Sequence, residues 1–384
     1  MPQDGSPLAV VPSEEVAVSI RQVCGWCGWL IPLLGLAVLP SCGKKAAGPP
    51  AGRSAGDDGV AEAPVVEEGS LQTVFRGAAP LRDMALVPAG STAAAPETLV
   101  AVGDLRTVVR SIDGGKTWAA VMPPDPDGPN YSTVRFGPSG DGWILSKEQV
   151  LHSGDDGATW SPCSRPSGSF YYYGALSAAG NACYMIQPPT CGAHVFCSEE
   201  EGVTWRRLEG ALPRNDYSHL HFRDARRGWV VGDYGRFAFT EDGGANWTVK
   251  NFPADTGFVE LEMVADDFGW MRMNRGDRLW ITRNGGADWT PVDLGTRRYW
   301  EVADVDFLDA QTGLALIRKG VDGSSVLLSR DAGATWTTGF ETPALLTAMA
   351  FRDLEHGWFT GEDGRIYRTV AGTSFPPNYS TSTR

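Results

Sequence analysis

Positive charge is scarce in this 384-residue sequence: 33 Lys and Arg stand against 46 Asp and Glu, a formal net charge of −13. A nucleic-acid binder needs a basic footprint to neutralise phosphates, so that class is excluded. An anionic lipid surface is an equally poor partner for the body of the chain. Histidine is also scarce, with 5 residues and no His-Glu-x-x-His pattern, which removes the usual zinc-protease signature. Paired metal-type cysteines are missing from the body. Cys163, Cys183, Cys191 and Cys197 are separated by 19, 7 and 5 residues, unlike the paired two-residue gaps of zinc ribbons. The Gly-Lys-Thr at 115–117 ends like a phosphate loop. The glycine such a loop needs upstream is replaced by Arg110, so backbone N–H groups cannot close around a phosphate. No cofactor and no metal are expected.

What is present begins with an apolar run, VCGWCGWLIPLLGLAVLPS at 23–41, followed by Cys42 and Gly43-Lys44-Lys45. It resembles a bacterial lipoprotein signal, which implies 1–42 as signal and lipobox with Cys42 lipidated. An uncleaved membrane anchor is the alternative, and either one exports the body. Glu14 and Glu15 precede the run with only Arg21 positive. A signal opens with positive charge, so a start downstream of Met1 is expected. Gly43 in place of an Asp favours the outer membrane. Residues 43–70, rich in Ala, Gly, Pro and acidic residues, read as a disordered tether. In an exported chain the even set Cys163, Cys183, Cys191 and Cys197 is expected to form two disulfides, with the three pairings left open.

The rest is a repeat. SIDGGKTW at 111–118 recurs as SGDDGATW at 153–160, SEEEGVTW at 198–205, TEDGGANW at 240–247, TRNGGADW at 282–289 and SRDAGATW at 329–336, with a worn copy at 369–375. The spacings from Trp118 through Trp160, Trp205, Trp247, Trp289 and Trp336 to Phe375 are 42, 45, 42, 42, 47 and 39. A period of roughly 40–50 residues filled by short β segments predicts propeller blades of four antiparallel strands. The box is then the hairpin turn between the third and fourth strands. Asp113, Asp155, Asp242 and Asp331 accept bonds from turn N–H groups, glycine supplies positive φ, and Trp packs on the blade. Blades three and five carry Glu200 and Asn284 instead, and looser turns are expected there. Lys116 is a variable turn residue.

These boxes resemble the Asp-box, or bacterial neuraminidase, repeat. FRDARRGWVVGDYGRFAFTEDGGANW at 222–247 is similar to the non-enzymatic propellers related to the photosystem II stability and assembly factor. The resemblance covers roughly 71–376. It implies an all-β seven-bladed propeller that serves as an assembly or interaction platform, with 377–384 as a tail. SLQTVFRG at 70–77 is expected to supply the outer strand of the last blade, since joining the chain ends in one sheet removes an exposed edge.

The face opposite the boxes is the expected binding face. In five blades an aromatic residue follows the box Trp by 11 to 13 residues: Tyr131, Tyr173, Tyr217, Phe258 and Trp300. With Arg214, Arg297 and Arg298 these form the candidate site, because aromatics and Arg dominate protein interfaces. Packing of the same rings between blades is the competing reading. A sialidase is disfavoured, since Arg76 and Arg82 lack the Arg-Ile-Pro context of that family. Loop carboxylates at Asp104, Asp125, Asp127, Asp216, Asp233 and Glu301 keep glycan hydrolysis as the alternative function. His219 and His221 share one strand face, and packing or hydrogen bonding is the expected role. The expected protein is a monomeric, non-enzymatic, lipid-anchored platform for another envelope or membrane protein, or for a surface glycan.

Overall fold

In the computed structural model, described residues are 67–68, 70–88, 97–125, 128–166, 174–187, 193–212, 217–273, 278–297 and 300–370. Cys42, Tyr173, Cys191, Arg214, Arg298, the apolar run and nearly all of the worn last box lie outside them. Among the described residues no helix is long and apolar enough to cross a membrane.

Seven antiparallel sheets are formed. Six have consecutive four-stranded order and span 81–120, 131–162, 175–207, 217–251, 258–293 and 301–342. The seventh contains Leu346–Asp353, His356–Gly361 and Arg365–Thr369, then takes Leu71–Arg76 from the other end of the chain. Leu71 pairs with Thr369 and Arg76 with Arg365, so the expected closure is present. A further short strand, Glu67–Glu68, extends that sheet inside the segment read as tether.

The box turns among the described residues are held by their own side chains. Asp113 Oδ1 accepts from the N–H groups of Lys116 and Thr117 at 3.0 and 2.9 Å, and Oδ2 accepts from Thr117 Oγ1 at 2.7 Å. Asp155, Asp242 and Asp331 repeat the arrangement. Asn284 does so as well, through Asp288 N–H at 2.8 Å, so blade five is not looser. In blade three the Glu200 carboxylate receives only Thr204 Oγ1, because the longer side chain overshoots the turn N–H groups. Trp118, Trp160 and Trp336 donate Nε1–H to the box glycine carbonyl at 3.2, 3.1 and 3.0 Å.

The core lies between blades. Val100, Val102 and Val108 of the first blade pack with Val134, Ile144 and Leu151 of the second. The box glycines fit against the preceding blade: a Cβ on Gly115 would meet Trp358, and one on Gly286 would meet Trp229.

The expected disulfides are not formed by Cys163, Cys183 or Cys197, which are free. Cys183 pairs with Ser198 and Cys197 with Tyr184 across adjacent strands. They therefore sit one register apart and point to opposite sheet faces. Cys183 packs with Trp143 and Leu145 toward blade two, and Cys197 with Leu220 and Val230 toward blade four. Burial pushes the Cys163 thiol up to about 12 and the Cys183 thiol well above its usual value, so both stay protonated and unreactive.

Candidate interaction face and central channel

Strand direction fixes which loops share a face. The inner strand and the third strand of a blade run the same way, so box turns lie at the C-terminal ends of the inner strands. The loops between second and third strands, and those leading into each inner strand, lie on the opposite face.

The expected aromatic ring on that opposite face is not assembled. Tyr131 and Tyr217 are 1% exposed and Phe258 is 0% exposed. Tyr131 packs among Val87, Val100 and Val134, Tyr217 among Tyr184, Leu212 and Leu220, and Phe258 among Trp229, Val231 and Phe237. The first residue of an inner strand falls at the seam between two blades, where a large ring fills the gap, so the packing role is the one realised. Trp300 is half-buried and packs against the core of blades five and six. Two cations approach its ring, Arg297 at 5.6 Å and Lys319 at 5.5 Å, within the range of cation–π attraction. Lys319 also pairs with Glu341 at 2.9 Å. Arg297 and Trp300 thus stay together on this face.

What the face does expose was not legible as a pattern. Six large hydrophobic side chains are exposed among the described residues, and four of them are here: Leu105 at 68%, Met122 at 84%, Tyr234 at 61% and Val321 at 94%. Leu105, Tyr234 and Val321 are tips of the loops between second and third strands in blades one, four and six. Leu105 and Tyr234 have φ of 52° and 57°, a left-handed conformation that non-glycine residues adopt at a cost of about 1–2 kcal/mol. The Leu105 loop is held by its N–H to Asn130 Oδ1 at 2.9 Å and by Arg106 Nη1 to the Gly128 carbonyl at 3.0 Å. Of the loop carboxylates weighed for hydrolysis, Asp104 is occupied by Arg82, with Nε to Oδ1 at 3.0 Å. Asp127 and Asp216 lie outside the described residues.

The centre of the disc is the second feature. Two tiers of inner-strand side chains line the channel. The tier near the boxes is Ala85, Arg135, Ala178, His221, Glu262, Asp306 and Ala350, paired in turn with Val100, Trp143, Cys183, Trp229, Trp270, Leu314 and Trp358 near the start of each second strand. Two residues earlier come Asp83, Thr133, Leu176, His219, Glu260, Asp304 and Ala348. The alternation HLHF, ELEM and DVDF at 219–222, 260–263 and 304–307 is the sequence signal for these tiers.

Several acids here are structural. An inner strand is a sheet edge, so some of its N–H groups have no ladder partner. Asp83 Oδ2 accepts from Val134 N–H of the next blade at 2.9 Å, Asp304 Oδ2 from Met349 N–H at 2.8 Å, and Asp306 Oδ2 from Phe351 N–H at 3.1 Å. Ser177 Oγ does the same for Phe222 N–H at 3.0 Å. Two guanidiniums compensate part of the charge. Arg135 contacts Asp83 at 2.5 Å and Glu260 at 3.6 Å, and Arg272 pairs with Glu260 at 2.9 Å. Burial raises Asp83 above its usual value despite Arg135. Burial and then Glu260 raise Asp304 well above its own. Burial pushes His219 down to about 4 and His221 to about 3, so both are neutral near pH 7. Among the described residues no group of His, Cys, Asp or Glu is arranged to hold a metal ion.

Residues 197–320 match the family described as Photosynthesis system II assembly factor YCF48. The chain resembles the YCF48 propellers. It is 26% identical over 187 residues to the Photosystem II assembly protein Ycf48 of a Synechococcus strain, a stretch covering 46% of this chain and 54% of that protein. The chain therefore spans about half the length of this curated relative. A YCF48 bound to a D1 peptide superposes with a TM-score of 0.60 at 19% identity, over 80% of this chain and 99% of that one. YCF48 from Cyanidioschyzon merolae gives 0.59 at 19% identity, over 78% and 98%. A xyloglucanase of glycoside hydrolase family 74 from Xanthomonas campestris gives 0.62 at 14% identity, over 82% of this chain and 55% of that one. These superpositions establish a shared propeller fold.

Proposed function

We propose that this YCF48-like chain is an exported, lipid-anchored, non-enzymatic platform that binds a segment of another envelope or membrane protein. Binding uses the face opposite the box turns. The observation that carries this reading is the gathering of Leu105, Met122, Tyr234 and Val321 on that face, two of them in backbone conformations maintained at a cost. Rigidly displayed apolar tips beside an Arg–Trp–Lys cluster are the composition of a protein interface. The peptide-bound YCF48 supports a polypeptide ligand. Glycan hydrolysis is the second reading, favoured by the xyloglucanase likeness.

The test is cross-linked co-purification from native membranes, comparing the parent with a Leu105→Glu/Tyr234→Glu variant. The expected result is one reproducible protein partner, lost in the variant at unchanged thermal stability. A partner retained by the variant, or release of reducing sugar from surface glycans by the purified protein, overturns the reading.

A further inference from the structure

The box-side half of the channel holds more negative groups than the fold uses. Arg135 and Arg272 are engaged with Asp83 and Glu260, while Asp304 and Asp306 stitch blade six to blade seven. Glu262 does neither: among the described residues it has no hydrogen-bond or ion-pair partner. It lines a cavity of about 360 Å³ with Asp306, His221 and Arg135. His221 Nε2 and His219 Nδ1 are buried there without hydrogen-bond partners. Buried polar groups in proteins are ordinarily satisfied, so this set is incomplete as it stands.

We propose that this cavity is a binding site for an organic cation, an ammonium or guanidinium group on a short apolar stem. The head group sits between Glu262 and Asp306 on blades five and six, and the stem lies along Ala85, Ala178 and Ala350. Three observations choose this ligand. The two acids are neighbours on one wall, where a cation supplies the missing donors. The three alanines of the same tier leave space instead of charge on blades one, three and seven. The volume falls within the range of small-molecule pockets, roughly 300–1,000 Å³, well beyond a single dehydrated ion, and no metal-ligand group is arranged among the described residues. A free amine and a lysine or arginine side chain share this chemistry.

Burial and then Asp306 push the Glu262 carboxyl up to about 7, and burial pushes Asp306 up to about 6. The other titratable and charged groups lining the cavity are Arg135, His221, His219, Asp83, Glu260 and Asp304, with Arg272 behind them on Glu260. With both histidines neutral above pH 5, the local charge change between pH 5.5 and 8 belongs to the acids. Cation binding is therefore stronger at pH 8 and releases protons below it.

The experiment is calorimetric titration of the full chain with n-butylammonium, n-butylguanidinium and N-acetyl-lysine methylamide at pH 5.5 and 8 in buffers of different ionisation enthalpy. The expected result is affinity at least tenfold higher at pH 8, with proton release at pH 6.5. Glu262→Gln, which loses no bond of the fold, weakens it at least tenfold, and Ala85→Leu weakens it by filling the stem space. Binding of the lysine derivative assigns a peptide side chain as the source; binding of n-butylammonium alone assigns a free amine. No binding at pH 8 by a folded chain, affinity unchanged in Glu262→Gln, or displacement of the amine by millimolar Ca²⁺ overturns the proposal.

Discussion

Replacing Gly115 by alanine separates two reasons for the box glycine. Its φ is +74°, and a Cβ there would lie 2.0 Å from Trp358 Nε1 and 2.6 Å from Cδ1 of the same ring. The left-handed backbone costs an alanine about 1–2 kcal/mol. Displacing a packed indole from the seam between blades one and seven adds overpacking strain of about 1–3 kcal/mol. Gly115→Ala should therefore lose about 2–5 kcal/mol. Gly295 is the control: its φ is +67° and nothing lies within 4 Å of its Cβ position, so Gly295→Ala should lose only the backbone term, about 1–2 kcal/mol. Urea unfolding followed by tryptophan fluorescence measures both, and the 14 Trp provide the signal. If the two variants unfold at the same urea concentration, the blade-seam packing assigned to the box glycine is wrong.

Ser177→Ala leaves Phe222 N–H without its acceptor across the seam of blades three and four, and should lower stability by about 1–3 kcal/mol in the same assay; no change would show that another acceptor replaces the hydroxyl. Glu262 is protonated in the folded state up to about pH 7. Its contribution to stability is thus fully present below the unfolded carboxylate value near 4.5 and is lost as pH rises through about 7. Glu262→Gln should be more stable than the parent at pH 8 by about 2–3 kcal/mol and nearly equal at pH 4.5; a pH-independent difference would remove the titration from this residue. Lowering pH through the usual carboxylate range should weaken the box turns, because hydrogen bonds from the Thr and turn N–H groups hold Asp113, Asp155 and Asp331 below their usual values despite partial burial. An acid unfolding transition unchanged by Asp113→Asn would count against that.

The repeat made much of this protein legible in its residues. Turn chemistry is local: Ser111, Asp113, Gly115 and Trp118 interact within a few positions of one another, so spacing alone announces the box, the blade period and, by the leftover strand at 70–77, the closure. Disc-wide relations are different. The sequence leaves Tyr131 and Tyr217 open between a binding face and a blade seam, and they fill seams, because whether the first residue of a strand looks outward or into the next blade depends on the angle between sheets. The cysteine count suggested bridges, while register sends Cys183 and Cys197 to opposite sides of one sheet. The channel acids come from residues as far apart as Asp83 and Asp306, and only ring closure brings them together and removes enough water to raise their carboxyls. Local hydrogen bonding thus set the unit, and the stacking of seven units decided what is buried, what is charged and what remains exposed.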